Sequence, residues 1–176
     1  WCVIPVYNNA STVATVARGC RQVLEHVLVV DDGSTDADLA ALLQGIDVTL
    51  LRHDANRGKG RALLTALDHI CHHGGRYMIT IDADGQHMPE DLGKFLAAID
   101  TDDTALYVGS RDFSADNVPE GSKFGRRFSN LWFRIETGVA CSDTQSGFRA
   151  YPVNSVSQLG LKGHRYEFEV EVLTRA

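Results

Sequence analysis

The chain has 176 residues, 44% of them hydrophobic and 23% charged, with a net charge of −6. That balance excludes a disordered or collagen-like chain, and an acidic surface argues against a nucleic-acid partner held through its phosphates. The length suits one domain with its own core, so residues 1–176 are read as a single domain.

The elements alternate along the chain. Apolar runs at Cys2–Val6, Val27–Val30, Asp47–Leu51, Tyr77–Ile81 and Ala105–Val108 read as buried strands. Between them lie stretches of helical period. Ser11–Leu24 places Val13, Val16, Ala17 and Cys20 on one face. Leu39, Leu42 and Leu43 follow a Ser34-Thr35-Asp36 cap, and Ala62–Ile70 and Asp91–Ile99 come next, the latter behind Pro89. Phe124–Ile135 and Glu167–Ala176 complete the helices. Alternation at this spacing predicts an α/β fold with a mostly parallel central sheet and helices on both faces. In such sheets ligands bind beyond the carboxyl ends of the strands. Polar clusters stand at those ends: Asp31-Asp32, Asp82-Ala83-Asp84 and Ser110-Arg111.

Four cysteines, Cys2, Cys20, Cys71 and Cys141, show no C-x-x-C spacing and read as reduced thiols. His69, His72 and His73 beside Cys71 read as a solvated helix end rather than a zinc site. No apolar run reaches the roughly 20 residues of a membrane span. The chain opens on Trp1 and an apolar run, which reads as a domain excised from a longer protein.

Asp82-Ala83-Asp84-Gly85-Gln86-His87 is the most informative string. Two carboxylates one residue apart can converge on a hard cation, with Gln86 or His87 adding a ligand; the plain alternative is a strand end entering a turn. An EF-hand is excluded, because His87 falls where glycine is required and Gly93 where the bidentate glutamate belongs. At Asp31-Asp32-Gly33-Ser34-Thr35-Asp36, helix capping accounts for the last three residues. One of the two acids is left as a candidate acceptor for a ribose or base edge. Asn56-Arg57-Gly58-Lys59-Gly60 could hold a phosphate near a helix start, or be a loop of solvated charges. It is not a P-loop, since Gly60 follows Lys59 and His53 stands at the first glycine position. Asp143-Thr144-Gln145-Ser146-Gly147-Phe148-Arg149 reads as a surface turn leading into a short strand. In it Asp143 is a candidate general base and Arg149 an anion ligand or structural clamp.

In order along the chain, these strings resemble family 2 glycosyltransferases of the GT-A fold, in the branch similar to dolichyl-phosphate mannose synthase. Cys2-Val3-Ile4-Pro5-Val6-Tyr7-Asn8 resembles the family's opening strand, and Val29 to Asp36 its nucleotide-binding turn. Asn56-Arg57-Gly58-Lys59-Gly60-Arg61-Ala62 is similar to its N-x-G-K-G-x-A segment, and Asp82 to Pro89 to its D-x-D with the following Q-H-x-P. Gly109-Ser110-Arg111, Ser146-Gly147-Phe148-Arg149 and Tyr166-Glu167-Phe168-Glu169 recur in that branch.

The resemblance implies residue roles. Pro5, Tyr7 and Asp32 would hold the nucleoside of a UDP- or GDP-linked sugar, with Lys59 beside the base or phosphates. Asp82, Asp84 and Gln86 would bind Mg²⁺ or Mn²⁺ bridged to the donor diphosphate, Asp84 being central to catalysis. Arg111 and Arg126 would face the acceptor, a polyprenyl phosphate or another lipid or glycan. Asp143 would serve as base only for a hydroxyl acceptor; a phosphate monoester is already an anion. The implied reaction is an inverting sugar transfer in cell-envelope glycan synthesis. It would run in the cytoplasm at the cytoplasmic face of the membrane, with peripheral attachment through regions outside this chain. The chain departs from many relatives at Asn9, where they carry Glu, and it ends at Ala176, where they continue. A dehydrogenase would need G-x-G-x-x-G after its first strand, where this chain has Tyr7-Asn8-Asn9-Ala10-Ser11. A nucleotidyltransferase and a non-catalytic sugar-nucleotide-binding module are the alternatives that stay open.

Overall fold

A computed structural model describes residues 1–110, 130, 133–135, 138, 143–144, 146–161, 163 and 167–175. The elements are β1 (Cys2–Val6), α1 (Ala10–Val23), β2 (Val27–Asp31), α2 (Leu39–Leu42), β3 (Thr49–Arg52), α3 (Lys59–His72), β4 (Tyr77–Thr80), α4 (Leu92–Thr101), β5 (Tyr107–Val108), β6 (Arg149–Pro152), α5 (Val153–Ser157) and α6 (Glu167–Arg175). A 3-10 turn at Pro89–Asp91 leads into α4, with Pro89 in its first turn as its fixed φ favours.

The strands form one sheet in the order β3-β2-β1-β4-β6-β5. β1 pairs parallel with β2 and β4, and β2 with β3. β6 lies antiparallel between β4 and β5. The sheet is thus mostly parallel, as the alternation of elements predicts. Val3, Leu28, Val30 and Met78 turn to one face, where α3, α5 and α6 pack through Leu63, Ala66, Ile70, Val156 and Phe168. Cys2, Ile4, Val6, Val27, Val29 and Ile79 turn to the other, against α1 and α4 through Val16, Ala17, Leu92 and Phe95. This period-2 alternation within strands buried on both sides is the core of a three-layer α/β/α domain.

The layout opens a crevice at one edge of β1. Chain order runs from β1 outward to β3, then crosses back to β4 on the other side of β1, so β1 and β4 flank a topological switch point. β1 shares five register pairs with β2 but two with β4. The main chains of Trp1 and Val3 accept from Ile79 and Ile81, so odd residues of β1 face β4. Pro5 is the next odd residue, and β4 has ended at Thr80. A proline is tolerated there because its missing N–H has no strand to pair with.

Two expectations are corrected here. The Ser34-Thr35-Asp36 stretch does not cap α2; Asp38 does, accepting from the N–H groups of Ala40 and Ala41. The segment 146–149 is not a surface turn, because Ser146, Gly147, Phe148 and Arg149 are all buried and β6 sits inside the sheet. Of the helix expected at Phe124–Ile135, only Asn130 and residues 133–135 belong to the described residues, and they are helical.

Candidate active site

The end of β2 is built from hydrogen bonds between loops. Asp31 Oδ1 accepts the Ser34 N–H at 2.8 Å. Its Oδ2 lies 3.3 Å from Arg52 Nε, an ion pair by distance without hydrogen-bond alignment. Asp32 is 3% exposed. Its Oδ1 accepts the Arg57 N–H at 2.9 Å and meets His53 Nδ1 at 2.6 Å, and its Oδ2 accepts the Gly58 N–H at 2.7 Å. His53 Nε2 is in turn 3.0 Å from Thr65 Oγ1 on α3. Gly33 has φ +76°, and a Cβ there would come within 2.5 Å of the Ala55 carbonyl carbon. Glycine is therefore required both for the left-handed turn and for the close approach of the 55–58 loop.

Ser34, Thr35 and Asp36 brace the neighbouring loop instead of their own helix. Ser34 Oγ accepts the Asn8 N–H, the Thr35 N–H donates to Asn8 Oδ1, and Asp36 Oδ2 accepts the Ala10 N–H at the start of α1. Asn8 takes φ +54°, a conformation asparagine tolerates. The loop carrying Tyr7 and Asn9 is thereby fixed.

At the end of β4, Thr12 Oγ1 donates to the Ala83 carbonyl at 2.5 Å, tying the D-x-D turn to α1. Asp84 is exposed at the mouth, its Oδ1 accepting the Gln86 N–H at 2.9 Å. Asp82 is held from the opposite side. Lys59, the first residue of α3, places Nζ 2.6 Å from Asp82 Oδ1 and 2.9 Å from Glu169 Oε1 on α6. Desolvation lowers the pKa of this ammonium, but Asp82 and Glu169 more than reverse it, so Lys59 stays charged. Gly147 lies against the pair: a Cβ there would sit 2.3 Å from Asp82 Oδ2 and 2.6 Å from Lys59 Nζ. Thr80 Oγ1 donates to the Gly147 carbonyl at 2.6 Å. The fully buried Arg149 donates to the carbonyls of Thr144, Ser146 and Glu169 at 2.6–2.7 Å. Of the two roles open to Arg149, the structure gives it the structural clamp.

These groups surround one cleft of about 530 Å³, walled by Pro5, Tyr7, Asn9, Asp32, Lys59, Asp82 and Asp84 among others. Six residues expected from the sequence, Pro5, Tyr7, Asp32, Lys59, Asp82 and Asp84, therefore meet in one place. Gln86 is exposed and stands outside the wall. Asp143 is fully buried and also outside it. Arg111 and Arg126 lie outside the described residues.

Among the described residues no group of three His, Cys, Asp or Glu side chains is assembled for a metal. The donors at the mouth are the carboxylate oxygens of Asp82 and Asp84, both in the wall of the cleft. That set fits Mg²⁺ or Mn²⁺, hard ions that complete their shells with water and phosphate oxygens.

Sequence reasoning gave no role to His53, nor to Glu169, which it names only within the recurring segment 166–169. Glu169 carried a signal, since it falls beside Phe168 and Val172 on the buried face of α6, where a carboxylate needs a partner. His53 carried none, because its partners are set by loop packing.

Residues 1–157 match the family described as Glycosyl transferase family 2. The chain is 32% identical to a polyprenol monophosphomannose synthase of Mycolicibacterium smegmatis, covering 99% of this chain and 70% of that protein. It is 30% identical to an undecaprenyl-phosphate mannosyltransferase of Micrococcus luteus, covering 98% and 75%. Its fold is like that of M. tuberculosis glucosyl-3-phosphoglycerate synthase, with a TM-score of 0.71 at 20% identity over 98% of this chain. It spans 63% of that solved chain, less than two thirds. The chain belongs to glycosyl transferase family 2: it is a glycosyltransferase domain of the GT-A fold, in the branch that includes the polyprenyl-phosphate sugar transferases.

Proposed function

We propose that the protein transfers a sugar from a UDP- or GDP-linked donor to a polyprenyl phosphate, with inversion at the anomeric carbon and with Mg²⁺ or Mn²⁺. The observation that carries this reading is the meeting of Asp82, Asp84 and Lys59 with Pro5, Tyr7 and Asp32 in one cleft at the switch point of the sheet.

The nucleoside lies against Pro5 and Tyr7, whose ring is 45% exposed and free to stack. Asp32 works through the backbone, holding the N–H groups of Arg57 and Gly58 so that α3 begins at the cleft. Lys59 brings a permanent positive charge to the diphosphate. Asp84, with Asp82, would hold the cation, which when bound supplies Lewis-acid stabilisation of charge on the leaving diphosphate. The acceptor oxygen attacks the anomeric carbon from the face opposite that diphosphate. The new C–O bond forms as the old one breaks, and its electron pair leaves with the nucleoside diphosphate. A phosphate monoester brings its own anionic oxygen, so no base is needed. A lipid-linked acceptor brings the reaction to a membrane surface, on the cytoplasmic side. Among the described residues no helix is long and apolar enough to cross a membrane.

The test is transfer from UDP- and GDP-hexoses to polyprenyl phosphate in detergent. The expected product forms from one nucleotide class, has inverted anomeric configuration by NMR, and is lost with EDTA and in Asp84→Ala. A retained configuration, or equal transfer in EDTA, would overturn the mechanism.

A further inference from the structure

Glu169 lies beyond the family match, which ends at residue 157, yet its side chain reaches the cleft wall. Its side chain is 8% exposed, and its Oε1 lies 2.9 Å from Lys59 Nζ, an ion pair by distance without hydrogen-bond alignment. Its main-chain carbonyl accepts from Arg149, the same guanidinium that holds the Ser146 carbonyl beside Gly147. One clamp therefore sets both the α6 carboxylate and the turn that presses on Lys59 and Asp82. The Lys59 side chain, 21% exposed, is thus enclosed by the β4 end, the 146–149 turn and α6. Asp82 is one of two carboxylate partners for this ammonium, and it is also the first acid of the D-x-D pair.

We propose that Glu169 is a positioning residue of the donor site: it anchors the Lys59 ammonium at the cleft so that Asp82 can turn to the bound donor and its cation. The inference rests on the donor-site reading above. With Asp82 alone, any engagement of that carboxylate would strand a largely buried charge. With Glu169 the ammonium keeps a fixed partner, and Lys59 and Asp82 can both face the diphosphate. The C-terminal helix is on this account part of the donor site.

The experiment is a double-mutant cycle read by calorimetric titration of UDP and GDP with Mn²⁺, using the wild type, Glu169→Gln, Lys59→Met and the double variant, each checked by thermal unfolding. Glu169→Gln is expected to weaken binding of the preferred nucleotide about tenfold, in line with loss of a charged partner. The double variant is expected to bind no worse than Lys59→Met, because Glu169 acts through Lys59. Glu169→Asp, which keeps the charge, is expected to fall between Gln and wild type. Losses that add in the double variant, or unchanged affinity in Glu169→Gln, would overturn the assignment while wild-type binding leaves the donor site standing. If the wild type binds neither nucleotide, the donor-site reading fails and takes this inference with it. Should Glu169→Gln not fold, the same cycle is run with Glu169→Asp and judged by the same additivity.

Discussion

Two strand ends of this domain carry aspartates within two residues of each other, and they are held in opposite ways. At the end of β2, Asp31 and Asp32 are buried, and both oxygens of Asp32 receive main-chain N–H groups. At the end of β4, Asp84 is exposed, while Asp82 is partly exposed and paired with the ammonium of a lysine side chain. An acid saturated by backbone donors shapes a loop. An acid at the mouth of a cleft, with a side-chain cation for a partner, is placed to meet a ligand. The same residue type thus braces loops at one strand end and lines the mouth of the cleft at the other.

Substitutions can break or sharpen this contrast. The largest effect is expected from Gly33→Ala. Its φ of +76° and a backbone contact at 2.5 Å leave no room for a side chain. A loss of about 3 kcal/mol or more in urea unfolding is expected, from backbone strain and overpacking together. Asp32→Ala comes next, because it leaves the Arg57 N–H and His53 Nδ1 without their partner and the Gly58 N–H with Asn56 Oδ1 alone. A loss of about 2–3 kcal/mol is expected by the same measurement. If Asp32→Ala were as stable as wild type, the architectural role given to it would be wrong. Gly147→Ala should cost about 1 kcal/mol, since side-chain ends can give way, but it should separate Lys59 from Asp82 and weaken nucleotide binding in calorimetry. Asp84→Ala should change stability least, by less than about 0.5 kcal/mol as expected of an exposed residue, while abolishing the metal-dependent part of donor binding.

The same contrast explains what was legible in the sequence. Strands β1, β2 and β4 declare themselves by apolar runs, and the acids that follow them by position. A parallel sheet then brings those ends to one edge without any knowledge of distant contacts. What sequence reading mistook was decided by pairing across the fold. Ser34, Thr35 and Asp36 have the chemistry of a helix cap, and only the neighbouring Asn8–Ala10 segment shows that they brace that loop, Asp36 holding the first N–H of α1, instead of capping α2. The turn before β6 looks polar, yet Arg149 satisfies three of its surrounding carbonyls and so allows it to be buried. Lys59 was singled out for its charge, but its partners Asp82 and Glu169 come from β4's end and from α6, and no spacing rule connects them.

The central claim is that the β4 end is a cation-assisted nucleotide site, whereas the β2 end is scaffold. It is tested most directly by calorimetric titration of wild type and Asp84→Ala with UDP and GDP, each with and without Mn²⁺. The account predicts that wild type binds one of the two nucleotides tightly only with Mn²⁺, and that Asp84→Ala, equally stable, does not. Equal affinity of the two proteins in Mn²⁺ would contradict it.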